Sequence, residues 1–167
     1  MRTSWLRARK LGAVAGVALA LLPAAAAAQE KTPPYWASIA SGQAMMRTGP
    51  GRNFPGVWLY QRRDLPIRVL KVFPNWRYVE DPDGVRGWML VTLLSDRRTA
   101  IVRGTQPRPL YAKPDEGSRL KYKVEPGVVG RVDECDAGWC RLKIAGDKTG
   151  FVHLTDIWGV SDGETVK

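Results

Sequence analysis

Cys135, Cys140 and His153 are the residue types of a thiol–imidazole pair, in which the imidazole takes the thiol proton and the thiolate attacks. The two cysteines are placed to meet each other instead. They flank a four-residue hairpin loop, so a disulfide across two strands is expected. Four intervening residues exclude a C-x-x-C redox site. With no third cysteine and His153 the only histidine, zinc lacks ligands. Neither cysteine opens a helix whose N-terminus would lower its pKa. Asp81 and Asp83 offer a carboxylate pair or calcium ligands, but Asp81-Pro82-Asp83-Gly84 reads first as a turn. Gly49-Pro50-Gly51 is no phosphate cradle, because no helix with Lys-Ser/Thr follows it. The sequence therefore predicts no catalytic residue, no metal and no cofactor.

Non-covalent recognition is the chemistry that remains. Trp76 and Trp139 each follow a turn and can stack on a sugar or a peptide; core packing is the alternative for both. Trp88 is assigned to the core. Basic residues gather at Arg62-Arg63, at Arg97-Arg98 and at Arg119, Lys121 and Lys123. They read as solvated turns and strand faces, or as contacts for an anionic envelope polymer or an acidic protein. No dense Lys/Arg run points to specific nucleic-acid binding.

A repeat organises the elements that must hold these residues. Trp76, Gly87-Trp88-Met89 and Thr92-Leu93-Leu94 recur 63 positions later as Trp139, Gly150-Phe151-Val152 and Thr155-Asp156-Ile157. Val69 and Val79 fall on Val132 and Leu142. Upstream the spacing becomes 64, with Pro50 matching Pro114.

Each copy reads as short strands between turns. In the first, strands are expected at Ile67–Val72, Trp76–Glu80 and Val85–Val91, with turns at Phe73-Pro74-Asn75 and Asp81–Gly84. A 3₁₀ turn is expected at Thr92–Ser95, and Thr99–Arg103 as a closing strand. In the second, Val128–Cys135, Trp139–Ile144 and Thr149–Leu154 are strands, and Asp136–Gly138 and Ala145–Asp147 are turns. No window after residue 28 has sustained helical periodicity. The fold class is all-β, with two small barrels, since closing a sheet removes exposed edges. A unit of about 60 residues is near the lower limit for one core. Trp58, Trp76, Trp88, Trp139 and Trp158 are expected to supply buried area, and the Cys135–Cys140 bridge to reinforce the second copy.

The first 28 residues read as a signal peptide, with Arg2, Arg7, Arg9 and Lys10 before the apolar run Leu11–Leu22, then Pro23 and the alanines Ala24–Ala28. An uncleaved membrane anchor is the other reading. The whole chain carries a net charge of +10; without the four basic residues of this segment, 22 basic face 16 acidic, leaving about +6. The expected organisation is signal peptide 1–28, a short tail 29–34, barrel one over 35–103, barrel two over 104–160 and a polar, frayed tail over 161–167.

Met46-Arg-Thr-Gly-Pro-Gly51 resembles the "V-R-S-G-P-S" opening of bacterial SH3 domains. Trp76-Arg-Tyr-Val79 followed by Gly87-Trp88-Met89 is similar to that family's "G-W-x-x-V … G-x-x-G-W-V" hairpin. Leu59–Ile67 and Leu94–Ala100 resemble an exported Gram-negative subfamily, and the second copy, ending in Leu154–Val160, its usual partner repeat. The resemblance covers about residues 35–160. It implies two SH3-like barrels, an RT-type loop near Thr48–Gly56, and binding of peptides or peptidoglycan. Departures are Met45 in place of the family's usual Asn, and Leu110-Tyr-Ala-Lys-Pro114 in place of the "R-S-G-P" element. Relative to proline-reading SH3 grooves, Trp76 keeps the tryptophan, but Leu90 and Leu93 replace the proline and tyrosine. The second copy has Trp139, His153 and Asp156 there.

The expectation is a non-catalytic, periplasmic or secreted binding module for peptidoglycan or a peptide. Trp76, Tyr78, Leu90 and Trp139 are the candidate ligand-binding residues. The alternative is a periplasmic scaffold that contacts another protein or itself. Membrane contact is expected only if the signal stays uncleaved.

Overall fold

The computed structural model describes residues 31–166; the expected signal peptide lies outside them. Among the described residues, fourteen strands form two seven-stranded sheets. The first contains β1 (Tyr35–Ile39), β2 (Ala44–Arg47), β3 (Gly56–Tyr60), β4 (Pro66–Phe73), β5 (Trp76–Glu80), β6 (Arg86–Leu90) and β7 (Leu94–Ser95). The second contains β8 (Thr99–Val102), β9 (Arg108–Tyr111), β10 (Leu120–Val124), β11 (Val129–Asp136), β12 (Trp139–Ile144), β13 (Lys148–His153) and β14 (Ile157–Trp158). The first sheet runs β3-β2-β6-β5-β4-β1-β7 and the second β10-β9-β13-β12-β11-β8-β14. The two paths are the same, displaced by seven strands, so the repeat is structural as well as sequential.

The alternation in β4 buries Ile67 and Val69 and turns Arg68 outward. Leu70 interrupts it, and there the pairing with β5 slips, between Val69 and Lys71. The second sheet slips at the matching place, between Val132 and Glu134. Such a bulge increases local twist and bends a long strand around a barrel corner. The repeated Gly-aromatic pair has a packing cause. A Cβ at Gly87 would stand 2.8 Å from the Arg47 carbonyl oxygen, and one at Gly150 3.1 Å from that of Tyr111. Each glycine lets one strand pass close against its neighbour.

Four expectations need correction. Thr99–Val102 does not close the first copy. As β8 it pairs with β11 and β14, just as β1 pairs with β4 and β7. Its Ala100 and Val102 belong to the second core. A strand between two repeats has the same pattern whichever sheet takes it. Trp58 is no core residue: it is 59% exposed, because it sits on β3 at the sheet edge while Tyr60, two residues on, fills the buried position. Trp88 is half-buried on the side away from the core, against Phe73 and Tyr78. The residues after 160 are held, not frayed. Ser161 Oγ accepts from Trp36 Nε1 at 2.8 Å, Glu164 receives the Arg98 guanidinium, and Val166 exchanges backbone hydrogen bonds with Cys135. Burial would raise the Glu164 pKa, but Arg98 and the Ser161 amide outweigh it and hold the carboxyl below its ordinary value.

These contacts also join the barrels. Trp36 meets Trp158 edge-to-face at 4.7 Å, and Ile101 and Val129 pack against the first core. Arg98 Nη2 donates to the Gly159 carbonyl at 3.0 Å.

Cys135 and Cys140 form the expected disulfide, facing each other across β11 and β12. Both are buried in the second core. The loop they close is short, so reduction should cost about 2 kcal/mol of stability by chain-entropy arithmetic. Urea unfolding with and without reductant measures this. An unchanged midpoint would contradict it.

Candidate functional site

The first barrel carries an open groove of about 270 Å³. Its apolar lining is Met45, Leu59, Trp76, Leu90 and Leu93, with Gln43, Arg47 and Arg52 at the polar positions. The local sequence explains how these meet. The turn at Pro74-Asn75 places Trp76 at the start of β5, directly opposite Leu90 on β6. The chain then makes a 3₁₀ turn, Val91–Leu93, anchored where the Val91 amide donates to the Asn75 carbonyl at 2.9 Å. This brings Leu93 to the same place. Met45 and Leu59 face each other across β2 and β3 on the other side.

The loop from Thr48 to Pro55 forms one rim. Arg47 Nη1 donates to the Phe54 carbonyl at 2.7 Å, and the Thr48 amide to the Pro55 carbonyl at 3.0 Å. Here Gly49 finds its role: a Cβ there would stand 2.4 Å from the Phe54 ring. The Gly49-Pro50-Gly51 stretch makes room for an aromatic ring.

Trp76 and Leu90 thus share one groove. Trp76 is only 8% exposed, so it is a groove wall more than a free platform. Tyr78 lies on the same face of β5 but outside the groove lining. It packs on Trp88 at 5.3 Å, with the Lys71 ammonium 5.6 Å from its ring. Trp139 lies in the other barrel.

The pairing registers make Leu90 equivalent to His153 and Arg47 to Tyr111; Leu93 and Asp156 each end the matching 3₁₀ turn, and the upstream spacing of 64 sets Arg52 beside Glu116. These second-barrel residues use each other. The Trp139 and His153 rings lie 3.8 Å apart, and Tyr111 meets Trp139 edge-on at 5.8 Å. His153 Nε2 and Glu116 Oε1 are 2.8 Å apart, and Arg108 pairs with Asp156 at 3.3 Å. The first groove is apolar with arginines beside it; the second is polar and internally paired.

The other candidates have local duties. Both sulfurs are in the disulfide, so the thiol–imidazole pair is not present. Asp81 is buried. Its Oδ2 accepts from the Tyr60 hydroxyl at 2.7 Å, and its Oδ1 accepts from the amides of Asp83 and Val85 at 3.0 and 2.8 Å. Arg97 pairs with Asp64, and Arg98 with Glu164. Sequence reasoning missed Met45, Leu59, Arg47 and Arg52 as groove residues. Only the hairpin register of β2 and β3 brings them there.

Two consecutive small barrels, each a strongly bent sheet with a 3₁₀ turn before its last strand, define a tandem SH3-like protein. The bacterial SH3 domain family matches the chain twice, over residues 40–96 and 105–159. The chain belongs to the bacterial SH3 domain family. No curated protein is similar enough to match it. Among solved structures it is similar to NlpC2 from Trichomonas vaginalis, at 11% identity and a TM-score of 0.33, covering 77% of this chain and 49% of that one. It is also similar to NlpC1 from Trichomonas vaginalis, at 12% identity and a TM-score of 0.32, covering 79% and 48%. The chain spans about half the length of these structures.

Proposed function

We infer that this protein is a non-catalytic binding module of the cell envelope, exported to the periplasm or secreted, and that the groove of the first barrel takes peptidoglycan or a peptide. The observation that supports this most is the contrast between equivalent sites. In one barrel Trp76, Leu90 and Leu93 border open space; in the other, Trp139, His153 and Glu116 contact one another. An apolar groove with a few polar groups at its edge is the usual form of a small binding site. Arg47 and Arg52 add attraction for the carboxylates that a stem peptide carries.

Co-sedimentation with purified peptidoglycan sacculi tests the reading. The mature protein should pellet with sacculi and remain bound at high salt, where non-specific charge contacts are screened. Leu93→Asp should weaken binding by about tenfold or more, as for a centrally placed interface residue, and Arg52→Glu should weaken it by reversing a charge at the groove's edge. Glu116→Ala, in the second barrel, should not. Enrichment no greater than that of an unrelated basic protein, or equal binding by the groove variants, would overturn it.

A further inference from the structure

Among the described residues, β3 pairs only with β2 and forms a free edge of the first sheet. A bulge at Val57 interrupts its ladder with β2, and the regular stretch Trp58–Tyr60 turns alternate N–H and C=O groups away from β2. Natural edge strands guard such groups with charge, especially lysine. In the second barrel β10 holds the same place, and its register against β9 makes Lys121 and Lys123 the equivalents of Val57 and Leu59. The second barrel has the guard. The first has Gly56-Val57-Trp58-Leu59-Tyr60, with Val57 41%, Trp58 59% and Leu59 44% exposed.

The surroundings of β3 fit another strand. On one side lies the groove of Trp76 and Leu90. On the other lies a second groove, of about 350 Å³, bordered by Trp58, Leu65, Val85 and Ile101, with Asp81 and Asp83 at its far side, where the Asp81 oxygens are already taken by Tyr60 and the turn amides. Leu59 borders both. An added strand sends successive side chains to opposite faces, so it fills both grooves in alternation. Charge decides what that strand is. Residues 52–63 include Arg52, Arg62 and Arg63 and no acidic residue. None of these arginines, nor Arg47, takes part in an ion pair among the described residues. Two copies meeting edge to edge would bring two such sets together.

We propose that the β3 edge is a strand-addition site for an extended segment of a partner protein, β-branched and apolar at its centre and acidic at its ends. Main-chain hydrogen bonds to β3 hold the segment, the two flanking grooves read its alternate side chains, and Arg52 at one end with Arg63 at the other meet its carboxylates, while Arg62, which donates to the Gly127 carbonyl, adds charge beside Arg63. This site goes beyond the groove reading above: its partner is a protein.

The probe is a short synthetic peptide with a central Val-Thr-Val-Thr-Val run and Asp-Glu at each end. Controls have Lys-Lys ends, or proline at the middle valine. Affinity is read by fluorescence anisotropy and the contact by hydrogen exchange of the β3 amides. The acidic peptide should bind and slow exchange in β3. The lysine-ended and proline peptides should bind about tenfold more weakly or worse. Val57→Lys, which restores the lysine of β10, should weaken peptide binding by about tenfold while leaving the unfolding midpoint and sacculus binding unchanged, since Val57 borders neither groove. No binding of the acidic peptide, binding without protection of β3, or full binding by Val57→Lys would overturn the proposal. Protection of β3 without peptide, together with a dimer mass, would assign the edge to a second copy instead.

Discussion

Trp76→Ala should lower the stability of the protein by about 3–5 kcal/mol, the range for truncating a buried large aromatic. Trp76 is 8% exposed. It stands between Leu90, its cross-strand partner on β6, and the groove residues Met45, Leu59 and Leu93. Removing the indole joins the space it filled to the groove, so neighbouring side chains cannot close over it cheaply. Urea unfolding of the variant measures the loss. A loss below about 1 kcal/mol would mean that the indole is not packed as described. Trp139→Ala should cost less, because Trp139 is only partly buried and rests on His153 and Tyr111 at the surface. For the same reason Trp76→Ala is a poor probe of ligand binding: it damages the fold and the groove together. Arg52 separates the two, since its side chain is exposed, whereas Leu93 also packs against the first core and its variant needs the unfolding midpoint measured beside its binding.

Asp81→Ala should be nearly as costly, at about 3 kcal/mol. The variant leaves the Tyr60 hydroxyl without its carboxylate, at about 1–3 kcal/mol for an orphaned buried group. The Asp83 and Val85 amides lose their acceptor as well, a loss similar in kind to removing a helix cap, about 0.5–2 kcal/mol. Tyr60→Phe in the Asp81→Ala background should recover part of the first contribution and none of the second. A double-mutant cycle on denaturation midpoints tests this, and strict additivity of the two changes would contradict it. Burial, helped by the nearby Asp81 carboxylate, raises the Tyr60 phenol pKa above its ordinary value. The raised pKa fixes the sign of the pH effect. The contribution is fully present below the ordinary tyrosine range and is lost as pH rises beyond it.

The sequence made the repeat legible because its signals are local. The Gly87-Trp88 and Gly150-Phe151 pairs mark one close strand crossing in each barrel, and Asp81–Gly84 marks a turn by residue type alone. The Cys135–Cys140 pairing followed from hairpin arithmetic. What the sequence hid was allegiance. Thr99–Val102 alternates well enough to close either sheet, and only its pairing with β11 and β14 places it in the second. Trp58 and Trp88 have core chemistry, yet one sits on an edge and the other faces away from the core. The candidate site was half legible. The shared register of Trp76 and Leu90 could be read, but Met45, Leu59 and the two arginines enter through the β2–β3 hairpin, whose irregular loop from 48 to 55 breaks the pattern on which register reading depends. Tyr78, expected to bind ligand alongside Trp76, lies outside the groove lining, against Trp88.

Titration of isotope-labelled protein with soluble muropeptides, followed by the indole N–H signals, tests the central reading most directly. The Trp76 signal and the Leu90 and Leu93 methyl groups should shift together and saturate, while the Trp139 signal stays in place. Shifts confined to Trp139 and His153, or none at saturating ligand, would contradict the assignment of the first barrel's groove as the binding site.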